Sequence, residues 1–136
     1  MNSIKSKLNK SILKDLIKEI KSSSKSFTLN KGDYLFTENT PLEFVYFIDV
    51  GEVALLKLNK DDYEIELMNQ KEGDIVGVDI LFKNTICDYS AVAKKSCKLY
   101  KTSLEKFQQI LSHQKETSME LMRYLCSLLN QLESKI

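Results

Sequence analysis

The chain has no tryptophan, a single proline (Pro41), a single histidine (His113) and a single arginine (Arg123). Each scarcity closes a class of function. One histidine, near the end of a helical stretch, cannot build a metal centre or a nucleophile–base–acid triad, and in that place it reads as a solvated last-turn residue. The three cysteines, Cys87, Cys97 and Cys126, are odd in number, far apart and form no C-x-x-C pair. That argues against a disulfide framework or a zinc site and for a reducing, cytoplasmic setting. No apolar run reaches the ~18–20 residues of a spanning helix, and the polar, basic start Met1–Lys10 lacks the hydrophobic region of a signal peptide. Charge of one sign is not in excess: 20 Lys+Arg face 19 Asp+Glu, so nothing global draws the chain to nucleic acid or an anionic membrane. The basic stretches Lys5–Lys10 and Lys94–Lys101 are spaced like solvated faces. Gly-x-Ser-x-Gly, Gly-x-Gly-x-x-Gly and the phosphate loop ending in Gly-Lys-Ser/Thr are missing. The carboxylates Asp61-Asp62 and Glu64/Glu66 fall on turns and wet strand faces, where nothing favours paired acid–base work. No enzyme, no metal and no cofactor is expected.

What the chain does have is 43% hydrophobic residues in 136, enough for one ordinary core. Residues 1–25 read as an N-terminal helix. Ile12, Leu13, Leu16, Ile17 and Ile20 gather on one face at 100° per residue, lysines fill the other, and Ser22-Ser23-Ser24 ends the pattern. Packing on the domain is expected; lying on a membrane surface is the alternative, disfavoured by Asp15 and Glu19. From 26 to 102 short β-rich runs alternate with turns: Ser26–Leu29, Tyr34–Thr37, Val45–Val50, Glu52–Leu58, Tyr63–Met68, Ile75–Gly77, Tyr89–Ala93 and Lys98–Lys101. Tyr63–Met68 alternates as a half-buried strand should. This spacing favours a sandwich or jelly roll over βαβ units, and helices kept to the ends make the class α+β.

Residues 103–136 read as helices. Ser103 is the expected N-cap of the first, with Phe107, Ile110 and Leu111 as its apolar stripe. The second, from about Lys115, carries two overlapping stripes. Met122, Leu125, Leu129, Leu132 and Ile136 step by 3 and 4, as in a coiled-coil seam. Leu121, Leu125, Leu128 and Leu132 run beside them. So wide an apolar surface can serve both its own domain and a second copy, so a homodimer is expected; burial within one chain is the alternative.

Three of the four glycines sit beside acids at turns: Lys31-Gly32-Asp33, Gly51-Glu52 and Gly73-Asp74. Leu29–Phe36, Val45–Val53 and Lys71–Gly77, with the helices after Ser103, resemble the effector domain of the CRP/FNR transcriptional regulator superfamily from about residue 20 to 136. The resemblance implies a double-stranded β-helix (jelly-roll) barrel, a cyclic-nucleotide-binding-like site and a long dimerisation helix. It places a candidate ligand site at Gly77, Val78, Asp79, Cys87, Asp88 and Tyr89. In members that bind cyclic nucleotides, a Glu after the cassette Gly holds the ribose, and an Arg before a small residue and Ala pairs with the phosphate.

The sequence departs at both places. Val78 follows Gly77, and the arginine's stretch reads Ile86-Cys87-Asp88-Tyr89-Ser90-Ala91, where Asp88 would repel a phosphate. Binding of cyclic AMP or GMP in the usual mode is not expected. Gly77-Val78-Asp79 looks closer to the oxygen-sensing branch, yet no cysteine precedes Cys87 to ligate a cluster. Cys87 and Cys126 read as ordinary thiols rather than redox sensors. Nothing before Ile136 resembles a recognition helix, so DNA would be met only through a domain outside this sequence. The expected function is effector sensing and dimerisation, with an unidentified small-molecule effector or protein partner. The alternatives are a stand-alone subunit that heterodimerises through 119–136 and, remotely, a cupin-like enzyme.

Overall fold

The computed structural model describes residues 10–113 and 115–133. Helix α1 (Lys10–Ser23) buries Leu16 and Ile20, which lie one turn apart on one face. Its end follows from the serines. Ser22 and Ser23 hydroxyls donate to the Glu19 carbonyl at 3.1 and 2.7 Å, and the Ser24 hydroxyl to that of Ile20, so the last carbonyls are satisfied by side chains. The rest of the sequence-expected N-terminal helix lies outside the described residues.

Eight strands follow: β1 (Ser26–Leu29), β2 (Tyr34–Phe36), β3 (Phe44–Val50), β4 (Glu52–Leu58), β5 (Glu64–Lys71), β6 (Ile75–Val76), β7 (Ser90–Ala93) and β8 (Cys97–Ser103). A four-residue helix α2 (Val78–Leu81) separates β6 from β7, and α3 (Leu104–Ser112) and α4 (Lys115–Glu133) close the chain. The strands form two four-stranded antiparallel sheets, ordered β1-β8-β3-β6 and β2-β7-β4-β5. Most consecutive strands lie in opposite sheets, as a jelly roll requires.

The crossing from β3 to β4 depends on Gly51. Its φ is +117°, and a Cβ there would stand 2.5 Å from Cys97 Sγ and 2.8 Å from Cys97 Cα. No other residue fits without moving β8. The core lies between the sheets, around Ile48, Val53, Leu55, Val76 and Leu99. It continues under the helices: α1 and α3 pack on β8, and α4 packs on α1, α3 and α2. Ser103 ends β8 and caps α3, accepting from the Lys106 amide at 3.1 Å, and Phe107 and Ile110 are buried beneath it.

Two sequence expectations change here. Tyr63–Met68 is not half-buried throughout. Tyr63 is 70% and Ile65 38% exposed, as is Leu58 at 50% across the β4–β5 turn, and burial begins only at Leu67. The dimer seam also splits. Leu125 and Leu132 are buried in their own domain together with Leu121 and Leu128, whereas Met122 is half exposed and Leu129 partly so. Ile136 lies outside the described residues. Among the described residues, no helix is long and apolar enough to cross a membrane.

Candidate functional site

Between β6 and β7 the chain leaves the barrel for a cassette spanning 77–89. Gly77 opens it in the left-handed region (φ 100°, ψ −5°) as N-cap of α2, a conformation that lets the chain turn off the strand at once. Thr85, though β-branched, also has a positive φ of 60°. Backbone bonds hold it there: its amide donates to the Ile80 carbonyl at 3.2 Å, and its carbonyl accepts from the Leu42 amide at 2.7 Å. The Cys87 amide then donates to Thr40, and its carbonyl accepts from Asn39, which ties the cassette to the loop after β2.

Of the six residues expected to form the site, Asp79 and Tyr89 are joined by a hydrogen bond, and several are withdrawn from solvent. Val78 and Cys87 are fully buried, and Asp79 and Tyr89 are 1% and 2% exposed. The Tyr89 hydroxyl donates to Asp79 Oδ1 at 2.6 Å, while Asp79 Oδ2 is buried without a partner. Burial holds the Asp79 carboxyl above its ordinary range; the Tyr89 bond opposes this and the charge of Asp88 adds to it. Burial and the neighbouring Asp79 charge push the Tyr89 phenol well above its own range. Cys87 is likewise raised by burial, which makes it a poor nucleophile.

Asp88 is not a bare charge. Its Oδ2 accepts from Lys83 Nζ at 3.0 Å, and its carbonyl accepts from Lys57 Nζ at 2.7 Å. The Asp88 hydrogen bond raises the Lys83 pKa, and Glu133 at the end of α4 adds to the shift. Lys57 also reaches Glu38 Oε2 at 3.2 Å, and Glu38 Oε1 accepts from the Leu58 amide. Glu38, Lys57 and Lys83 escaped the sequence reading. One signal was available: Lys57 continues the inward alternation of Val53 and Leu55 on β4, an unusual place for a charge.

Beside the cassette, a hollow of about 400 Å³ is lined by Glu38, Leu56, Leu58, Glu64, Ser90 and the 37–39 turn. None of the six expected residues lines it, and of its two carboxylates Glu38 is paired with Lys57. Among the described residues no group of three or more His, Cys, Asp or Glu is placed to hold a metal ion. At the two places where the resemblance calls for a carboxylate and a guanidinium stand Val78 and Cys87, both fully buried.

The sequence profile of the cyclic nucleotide-binding domain matches residues 26–114. The global nitrogen regulator of a Nostoc species is 31% identical over 111 residues, which are 80% of this chain and 50% of that protein. The chain therefore spans about half the length of the curated relative it matches. Among solved structures, the sensor domain of the transcriptional regulator DNR from Pseudomonas aeruginosa superposes with a TM-score of 0.72 at 23% identity, covering 90% of this chain and 82% of that one. The Thermus thermophilus catabolite activator protein does so with a TM-score of 0.76 at 18% identity, covering 88% and 56%. At those identities the likeness is one of fold, and it agrees with the two-sheet topology and the flanking helices. Profile, relative and topology converge: the chain belongs to the cyclic nucleotide-binding domain family, in the form carried by CRP/FNR-type regulators.

Proposed function

We propose that this chain is the sensing and dimerisation part of a CRP/FNR-like transcriptional regulator, working in the cytoplasm, whose cassette does not take cyclic AMP or GMP in the usual manner. The observation that carries the reading is the burial of Val78 and Cys87 at the two places where a nucleotide needs a carboxylate and a guanidinium. Isothermal titration with each nucleotide tests it: no heat is expected, and micromolar affinity for either refutes it.

Dimerisation rests on the outer side of α4. With Leu125 and Leu132 turned inward, the described residues left toward the outside are Met122 and Cys126, exposed, and Leu129, partly buried against the core; they step by 4 and 3. The helix also packs on α2 of the cassette, so a change at the cassette shifts the dimer helix directly. DNA would be read by a domain beyond this sequence. Sedimentation at micromolar concentration should give a dimer, and Met122→Glu with Leu129→Glu a folded monomer. A wild-type monomer would end the dimer reading. A mixed dimer with another regulator's helix, through the same outward residues of α4, is the second reading. It predicts a self-associating fraction that falls when that partner is added.

A further inference from the structure

Tyr89 is buried in the core at the end of the cassette. Its ring lies 5.8 Å from that of Phe36, which in turn lies 6.2 Å from Tyr46. All but 2% of the residue is withdrawn from solvent. Its hydroxyl supplies a side-chain hydrogen bond to Asp79, a carboxyl that is 1% exposed and keeps one oxygen without a partner. A buried aromatic ring tilted against a neighbouring ring, with a hydroxyl donating into a buried acceptor, is the arrangement of a bound phenol, except that this phenol is part of the chain.

We infer that Tyr89 is the standing occupant of this barrel, a built-in ligand whose bond to Asp79 latches the cassette shut without any diffusible effector. The two residues stand ten apart, near the opposite ends of the 77–89 excursion, so this one bond ties its beginning to its end. Asp79 lies on α2, which packs on α4, so the latch also holds the terminal helix in place. The chemistry accepted is that of a neutral aromatic donor. A phosphate or carboxylate would have to expel the ring and then face the Asp79 carboxyl. This inference rests on the reading of the cassette as the site that biases the dimer helix, and it narrows that reading to a site occupied from within.

The test is chemical replacement of the side chain, followed by thermal unfolding. Wild-type protein should keep its Tm in about 1 mM 4-methylphenol, cyclic AMP or cyclic GMP, because the place is taken. Tyr89→Gly should lose about 10 °C or more, and 4-methylphenol should restore part of it while toluene, without the hydroxyl, restores less. A rise in the wild-type Tm with any of the three compounds, or rescue by toluene equal to that by 4-methylphenol, overturns the inference. Should the glycine variant not fold, Tyr89→Phe keeps the ring and removes only the hydroxyl. Amide exchange at residues 77–81 should then quicken about tenfold, and unchanged exchange overturns the latch. Sedimentation of the same samples separates the two proposals. A monomeric wild type strikes only the dimer reading, and failed rescue only the latch.

Discussion

At Asp79 a carboxyl sits where an anion is least welcome. Burial raises its pKa above the unfolded value, so the folded chain holds its proton longer than the unfolded chain. Within the window between those two values the native state binds more protons, and stability falls as pH rises through it. This is the reverse of an ion-paired aspartate. Urea midpoints measured from about pH 4 upward should therefore decline across that window in wild type, and Asp79→Asn should flatten the decline. A midpoint that rises with pH in wild type and is unchanged by the substitution would show the carboxyl charged and solvated. Gly51 makes a steric demand instead. Gly51→Ala sets a Cβ against Cys97 at a left-handed φ, and should cost about 3 kcal/mol in denaturant unfolding. At this scale the sequence was partly legible. Glycines beside acids marked the turns, but no linear pattern says that Tyr89, ten positions on, returns to Asp79.

Among the elements, α3 shows local chemistry carrying through to structure. Ser103 caps it as its position suggested, so Ser103→Ala should cost about 1 kcal/mol without disturbing the barrel. Helix α4 shows where periodicity stops informing. Its stripes share Leu125 and Leu132, and spacing alone cannot tell which of them faces the domain. The structure turns Leu121, Leu125, Leu128 and Leu132 inward, each burying about 2 kcal/mol of side chain, and leaves Met122 and Cys126 exposed, with Leu129 partly buried against the core. Leu125→Ala should accordingly destabilise the fold by about 2–5 kcal/mol, whereas Met122→Ala should leave it within about 0.5 kcal/mol at concentrations where the chain is monomeric. Strand β5 gave the opposite surprise. Its alternation looked half-buried, yet its first three residues are exposed on both faces and burial starts at Leu67.

For the whole molecule, the arrangement of helices over one sheet leaves a single thiol at the surface among the described cysteines. Cys87 and Cys97 are buried, and Cys126 is exposed in the middle of the outward stripe of α4. If two copies meet in parallel along that stripe, their Cys126 thiols face each other across the two-fold axis. Mild oxidation with diamide should then give a disulfide-linked dimer on a non-reducing gel, and Cys126→Ser should abolish it. A dimer by sedimentation that does not cross-link would place the contact on another face or run the helices antiparallel.

The order of helix, strands and helices, the turns at the glycines, the α3 cap and the family resemblance all follow from residues within a few positions of one another. Local propensity and period determine them, and the sequence alone sufficed. The loss of the nucleotide's arginine and glutamate was equally legible, because an absent side chain needs no geometry. Tertiary structure decided what fills the space they left, since that depends on contacts between distant residues. It closed Tyr89 onto Asp79, set Lys57 and Lys83 against Asp88, and chose the inward face of α4. Each of these outcomes turns on which groups lose water together, and only the assembled barrel specifies that.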